Sequence, residues 1–268
     1  MNDPLRDFSL MFEALAELQS ETETAQAQPL PAPPSPADSI SELGPLLQGA
    51  LLLGLAPDGL PVLLNLHDSH PGPLLITADP GAGKTAFLQL IARAATETHT
   101  SDDIQFGIIT NYPDEWDYLT ELEHCMGAFP SNSNSAVDFL TVLFEWAHSN
   151  KGGQQAILLL IDDLESMNDL DFDVRQTLRW LLLRGPSRRV WPIITMNAKR
   201  ASQVEDWLDA FRTRIFGQIK DDRTARNLAN HPETNFRHLQ AGLQFTLREG
   251  NGWLKFWLPE TGQEEGEE

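Results

Sequence analysis

The sequence predicts an α/β domain in which helices cover both faces of a mostly parallel β-sheet. Three observations predict this class: apolar strand-like runs alternate with helical patterns, a Gly-rich loop joins one such strand to a helix, and a later strand ends in two aspartates. The strand-like runs span residues 73–77, 104–110, 156–161, 190–195 and 214–219, and the helical patterns span 84–97, 136–149, 171–184 and 201–210. Paired apolar runs at 50–56 and 61–66, and at 242–248 and 253–258, predict a β-hairpin at each end of the domain.

Composition sets the broad class of the protein. The chain has 268 residues, of which 41% are hydrophobic, enough for one α/β domain with a sizeable core. The single cysteine, Cys125, excludes an internal disulfide and suits a reducing compartment. No apolar run is long enough to span a membrane, and the first residues are acidic where a signal peptide would be basic. A cytoplasmic location is therefore expected.

The chain divides by composition into four segments. Residues 1–19 contain an amphipathic helical pattern over 4–18, interpreted as a docking helix for a partner protein, with packing onto its own domain as the alternative. Residues 20–45 are a Pro-rich linker, 46–259 the main domain, and 260–268 an acidic tail that we expect to be disordered.

The net charge of −20 is concentrated at the two ends. Residues 1–45 hold eight acids and one arginine, and residues 260–268 hold five acids and no base, which leaves −8 for the rest. An acidic body is not typical of a strong nucleic-acid binder. The charge does not support DNA as a partner, but it does not exclude DNA either, because a few basic residues could line a pore.

A Gly-rich loop follows the strand at 73–77 and has the residue types of a P-loop. Gly81 and Gly83 permit a tight turn that aims backbone N–H groups at phosphate oxygens. Lys84 would meet the β and γ phosphates, and Thr85 would offer its hydroxyl to Mg²⁺. Ala78 stands where the strict pattern has glycine, and an ordinary glycine turn is the alternative. The predicted nucleotide-binding segment, with ATP and Mg²⁺ as ligands, is Ala78, Asp79, Pro80, Gly81, Ala82, Gly83, Lys84, Thr85 and Ala86.

A second candidate site follows the apolar strand at 156–161. Asp162 and Asp163 come directly after this strand, at the carboxyl edge of a parallel sheet, where ligands bind. Asp162 is predicted to complete the Mg²⁺ shell and Asp163 to polarise the attacking water. The alternative is a solvated strand end, since Glu165 and Asp169 follow within the next seven residues.

With both motifs in place, residues 50–258 resemble the FtsK/HerA family of ring-forming ATPases. Gly59-Leu60-Pro61-Val62 resembles the hairpin that leads into the family's P-loop. The segment from Ser187 to Thr195 resembles the one that leads to the family's polar sensor strand, and the segment from Phe211 to Phe216 resembles the one in which the family has an arginine followed by an apolar strand. The resemblance implies a RecA-like motor domain that forms a homo-oligomeric ring, such as a hexamer. It also implies that Asn197 or Thr195 senses the γ-phosphate. The implied arginine finger is one of four residues, with Arg214 assigned: Arg188, Arg189, Arg212 and Arg214.

Two functions remain open from the sequence. The first is an ATPase whose hydrolysis moves a polymer or remodels a partner. The alternative is a nucleotide-gated protein-binding module with slow or no hydrolysis. Asp163 stands where many members of the resembling family have glutamate, and the sequence shows no DNA-reading winged helix, so the resemblance implies an ATPase ring more strongly than DNA pumping.

Overall fold

A computed structural model of the chain describes residues 49–232 and 234–259. The predicted docking helix, the Pro-rich linker up to residue 45 and the acidic tail lie outside the described residues. Among the residues that are described, no helix has both the length and the apolar composition needed to cross a membrane.

Within the described residues, ten strands form one sheet. They are β1 (Ala50–Leu55), β2 (Pro61–Asn65), β3 (Leu74–Ala78), β4 (Ile104–Thr110), β5 (Cys125–Pro130), β6 (Ala156–Ile161), β7 (Val190–Asn197), β8 (Thr213–Phe216), β9 (Gln244–Glu249) and β10 (Gly252–Trp257). The spatial order is β2-β1-β10-β9-β8-β3-β7-β6-β4-β5.

The sheet has a parallel part and an antiparallel part. All pairings from β8 through β3, β7, β6 and β4 to β5 are parallel. Strands β9, β10, β1 and β2 continue the sheet with antiparallel pairings. One strand, β7, therefore lies between the P-loop strand β3 and the strand β6 that precedes the two aspartates. The carboxyl ends of all three meet at one edge, which we call the carboxyl edge.

Helices connect the parallel strands and cover both faces. They are α1 (Lys84–Thr98), α2 (Asp117–Thr120), α3 (Asn134–Ser149), α4 (Phe172–Arg184), α5 (Glu205–Leu208) and α6 (Asp222–Ala229), with 3₁₀ turns at Pro113–Trp116, Leu164–Asp169, Pro186–Arg188 and Ala198–Gln203. Strand β6 shows why two layers are needed, because its six residues are all buried. Leu158 and Leu160 pack in the cluster that contains α1, whereas Ile157 and Leu159 pack in the cluster that contains α3 and α4.

The predicted α/β class with a mostly parallel sheet is confirmed, and so are both terminal hairpins. Three elements were not predicted: β5, the four-residue helix α2 and α6. Strand β5 is a half-exposed edge strand that contains Gly127 and Pro130, and α6 has only two buried residues among its eight. The helix expected over 201–210 is shorter, because a 3₁₀ turn occupies residues 198–203 and only four residues, α5, are α-helical.

Candidate nucleotide-binding site

The Gly-rich loop that is predicted to be a P-loop, and for which we keep that name, lies between the end of β3 and the start of α1. Gly81 and Gly83 both have left-handed backbones, with φ of 72° and 83°, a conformation that glycine adopts at little cost. The loop is held from outside by three contacts. Asp79 accepts a hydrogen bond from the Lys220 backbone N–H at 3.0 Å and donates its own N–H to the Gln218 carbonyl, while Gly242 N–H donates to the Ala82 carbonyl.

Lys84 is the first residue of α1 and is only 9% exposed. Its ammonium donates to the Asp79 carbonyl at 3.2 Å, across the turn of the loop. Burial lowers the pKa of Lys84, and the nearby charges of Asp163, Asp162 and Glu165 oppose that shift. A buried cation whose ammonium is hydrogen-bonded to a single carbonyl, with the charges of four acids acting on it, Asp79 included, is well placed to bind the phosphates of a nucleotide.

The N-terminus of α1 has no side-chain cap among the described residues. Its capping residue is Gly83, and its first turn contains no acid. Helix α3, by contrast, is capped by the Ser133 hydroxyl, and α6 by the Asp221 carboxylate. The first N–H groups of a helix need partners, and together with the helix dipole they favour an anion such as phosphate.

Two threonines tie the P-loop to the acid pair. The Thr85 hydroxyl donates to Asp162 Oδ2 at 2.8 Å, and the Thr195 hydroxyl donates to Asp162 Oδ1 at 2.7 Å. Thr195 Oγ1 also accepts the Asp163 backbone N–H at 2.8 Å. Thr195 thus joins both aspartates to β7, and the sequence-based candidates Thr85, Asp162, Asp163 and Thr195 lie together.

Burial raises the pKa of Asp162, whereas the hydrogen bonds from Thr195 and Thr85 oppose this rise. Asp163 has a left-handed backbone with φ of 79°, which is rare for a residue with a side chain. Such a conformation costs about 1–3 kcal/mol and is found most often at functional sites. The strain turns the chain sharply between the end of β6 and the 3₁₀ turn that follows.

Asn197, a predicted sensor, is the last residue of β7 and stands in register with Ala78 of the P-loop strand. Its side-chain oxygen accepts from the Lys199 backbone N–H at 3.1 Å and so caps the next 3₁₀ turn. Its backbone N–H donates to Glu165 Oε1 at 2.8 Å. The structure therefore brings a further acid, Glu165, to the site, although the sequence interpretation had placed it only among solvated acids.

Beyond Asp163 and Glu165, the carboxyl edge opens into a polar cleft of about 520 Å³. Its other lining residues come from the ends of β4, β5 and β7 and from the turn after β6: Asn111, Ser131, Asn132, Ser166, Asn168, Asp169, Arg200 and Gln203. The cleft gives the site room beside the acids.

The four candidate finger arginines lie apart from this site, near the starts of β7 and β8. Arg214 donates to the carbonyls of Leu228 at 2.8 Å and Leu208 at 2.7 Å, and Arg189 donates to the carbonyls of Leu66 and Gln154. Arg188 has one long contact, 3.4 Å, with the Asn150 carbonyl. Arg212 is exposed and has no hydrogen bond or ion pair within the described residues.

The residues at the carboxyl edge fit Mg²⁺ bound together with a nucleotide. No group of three or more His, Cys, Asp or Glu side chains that could hold a metal alone occurs in residues 49–232 and 234–259. One carboxylate, Asp162, and one hydroxyl, Thr85, are already hydrogen-bonded to each other. Magnesium is commonly held by one or two protein groups plus phosphate and water, so this pair suits it.

No protein-family model matches the sequence, and no curated protein is similar to it. Solved structures are similar in fold. ATPases 2 and 3 of EssC from Geobacillus thermodenitrificans superpose with a TM-score of 0.68 at 14% identity, over 89% of this chain and 49% of that one.

Two further structures agree with this result. Thermomonospora curvata EccC, ATPases 2 and 3 in complex with a signal sequence peptide, gives a TM-score of 0.63 at 15% identity, over 86% of this chain and 42% of that one. The pCW3 conjugation coupling protein TcpA, a monomer form with ATPγS, gives 0.63 at 14% identity, over 87% and 71%. The chain thus spans less than half the length of the EssC and EccC structures. The chain therefore shares the RecA-like fold of these ATPase structures, which is the fold that the sequence resemblance predicts.

Proposed function

We propose that the protein binds ATP with Mg²⁺ and hydrolyses it. In this proposal the loop of residues 78–86 cradles the phosphates, Lys84 neutralises the β and γ oxygens, and Thr85 and Asp162 hold the magnesium ion. Asp163 orients the attacking water. Bound Mg²⁺ would neutralise charge on the phosphates, and the protein groups would bind the nucleotide and orient the attacking water.

The observation that carries this proposal is the hydrogen-bonded series Thr85–Asp162–Thr195–Asp163. It connects the P-loop helix to β6 through β7 with contacts of 2.7–2.8 Å. A Gly-rich turn with no nucleotide role would not need a buried acid to meet the first turn of its helix. The uncapped N-terminus of α1 adds independent support.

Hydrolysis is proposed to require assembly, with an arginine supplied by a neighbouring copy. Arg214 stays a prediction in that role, but both of its terminal nitrogens already bond to carbonyls of its own chain. Arg212 is exposed and free of such contacts in the described residues, which favours it as the finger. The ring, its subunit number and a cytoplasmic location belong to the same proposal.

The experiment measures the rate of phosphate release at protein concentrations from nanomolar to micromolar, with and without DNA. The native mass of the protein in the presence of ATP is measured at the same concentrations. We expect specific activity to rise with concentration as oligomers form. DNA that stimulates turnover would identify the polymer, whereas no response would point to a protein partner engaged through residues 4–18. Bound ATP without phosphate release at any concentration would contradict hydrolysis.

The second candidate function is a nucleotide-gated protein-binding module. The observation that favours it is the engagement of Arg214 and Arg189 by carbonyl oxygens of their own chain, which leaves few arginines for catalysis in trans. Such a module would bind ATP with the same P-loop and change its affinity for a partner without turnover. Stoichiometric ATP binding in a protein that stays monomeric would support it.

A further inference from the structure

Glu165 is a buried acid that the proposed function does not use. It lies in the 3₁₀ turn Leu164–Asp169, two residues beyond Asp163, and is 8% exposed. One of its oxygens, Oε1, accepts the Asn197 backbone N–H at 2.8 Å. The other, Oε2, is buried and has no hydrogen-bond partner in the described residues.

The position of this carboxylate follows from the order of the strands. Asn197 ends β7, the strand between the P-loop strand and β6, and is in register with Ala78 at the entry of the P-loop. A carboxylate bonded to its N–H therefore lies between the two motifs. Glu165 also lines the polar cleft together with Asp163, and its charge is close enough to act on Lys84.

A structural role alone does not explain a charged group here. Burial raises the pKa of Glu165, and the charge of Asp163 adds to this rise. The backbone N–H groups of Glu165 itself and of Asn197 oppose the rise, as does the charge of Arg200. A neutral glutamine could accept the same N–H without burying a charge. An unpartnered buried oxygen is costly, and such an oxygen beside a ligand site is accounted for when the ligand supplies its partner.

We infer that Glu165 is the catalytic base of the hydrolysis, with its Oε2 atom accepting the proton of the attacking water. The inference rests on the proposed function and adds a residue to it. Asp163 has a side chain one methylene shorter, and among the charges near Lys84 its effect on the ammonium is the largest. Asp163 then orients the water, and the longer Glu165 takes its proton.

In the proposed step, the γ-phosphoryl group of ATP is transferred to water. The water oxygen forms a bond to the γ-phosphorus, and the bond from that phosphorus to the bridging oxygen breaks, its electron pair leaving with ADP. One water proton passes to Glu165 Oε2. After the product forms, that proton moves to the phosphate or to solvent and restores the carboxylate. General-base assistance of this kind contributes about 10²–10⁴ in rate.

The test compares Glu165→Gln with Asp171→Asn in the full chain. Glutamine keeps an acceptor for the Asn197 N–H but cannot take a proton at neutral pH. We expect kcat to fall about 10²–10⁴-fold, ATP affinity to stay within about twofold, and the acid limb of the kcat–pH profile to disappear. Asp171 is an exposed acid at the start of α4, just after the same turn, and it does not line the cleft, so its variant should keep both the rate and the acid limb.

A second variant covers the case in which Glu165→Gln does not fold. Glu165→Asp keeps a proton acceptor in a different position, so kcat should fall while an acid limb remains at a shifted pH. Wild-type turnover with an unchanged limb in either variant overturns the inference and leaves ATP hydrolysis standing. Absence of turnover in the wild-type protein overturns the proposed hydrolysis and this inference together.

Discussion

Charged side chains at the two edges of the parallel sheet differ in whether they have bonding partners within the protein. At the carboxyl edge, Asp162, Asp163 and Glu165 have no cation within 4 Å among the described residues, and the nearby Lys84 contacts only a carbonyl. Near the amino edge, the guanidinium groups of Arg189 and Arg214 each bond to two backbone carbonyls. The charges at the first edge have no ion-pair partner among the described residues, and the two guanidinium groups near the second edge are already hydrogen-bonded.

This difference indicates which charged groups bind ligands and which hold the fold. A buried charge without a partner costs free energy, and the fold keeps it only where another component supplies the partner. An arginine that satisfies two carbonyls stabilises the elements that carry them. Changes at the carboxyl edge should therefore affect ligand binding and turnover, and changes near the amino edge should affect stability.

The largest effect is expected from Lys84→Ala. Because its ammonium is the buried cation of the P-loop, ATP affinity should fall by at least about 100-fold, as expected for loss of a charge-assisted contact of about 3 kcal/mol. Titration with a fluorescent ATP analogue measures it. Lys199→Ala removes an exposed cation at the same edge and should bind normally. If the Lys84→Ala and Lys199→Ala variants bind ATP with equal affinity, Lys84 has no special role in binding the phosphates.

The next largest effect is expected to differ between Arg212 and Arg214. If Arg212 serves a neighbouring copy, Arg212→Ala should lower kcat by about 10³-fold or more while the melting temperature stays unchanged. Arg214→Ala leaves the Leu208 and Leu228 carbonyls without their donor, so its main effect should be a lower free energy of unfolding, by about 1–3 kcal/mol. Phosphate release and thermal unfolding are measured on both. The reverse assignment, with Arg214 as the finger, predicts a stable but inactive Arg214→Ala.

A smaller effect on rate is expected at the strained aspartate. Asp163→Asn keeps the side chain's size and its backbone bond to Thr195, so ATP should bind with near wild-type affinity while kcat falls about 10²-fold. Asp162→Asn should instead weaken the magnesium dependence of ATP binding. Binding and turnover at several Mg²⁺ concentrations distinguish the variants. Loss of ATP affinity in Asp163→Asn, with slow hydrolysis in Asp162→Asn, would mean that the two roles are reversed.

Sequence patterns predicted the parts of the site that are local. The P-loop and the acid pair are each encoded within about ten residues, next to strands whose apolar runs are unambiguous. The contact of Thr195 with Asp162 and the insertion of β7 between the motifs depend on strand order, which periodicity does not specify. Glu165 was missed for the same reason, because its partner Asn197 is 32 residues away.

Elements with weak apolar patterns were also harder to predict. The polar helix α6 and the edge strand β5 bury few side chains, so neither produces a clear periodicity. The engagement of Arg214 depends on Leu228, which lies at the end of that unpredicted helix region. A signal that could have pointed to Glu165 was present: a longer acid follows the Asp162–Asp163 pair within one turn.

The smallest expected effect concerns two glycines of the P-loop itself. Both have left-handed backbones, so alanine at either position carries a conformational cost of about 1–2 kcal/mol. At Gly81 a Cβ atom would meet nothing within 4 Å, and Gly81→Ala should show only that cost. At Gly83 a Cβ would lie 2.5 Å from the Gly242 Cα, so the turn that supports the loop must also move. The free energy of unfolding, measured in urea, should therefore fall further for Gly83→Ala than for Gly81→Ala.

If the two variants lose the same stability, the contact between the P-loop and the turn before β9 does not hold the loop in place.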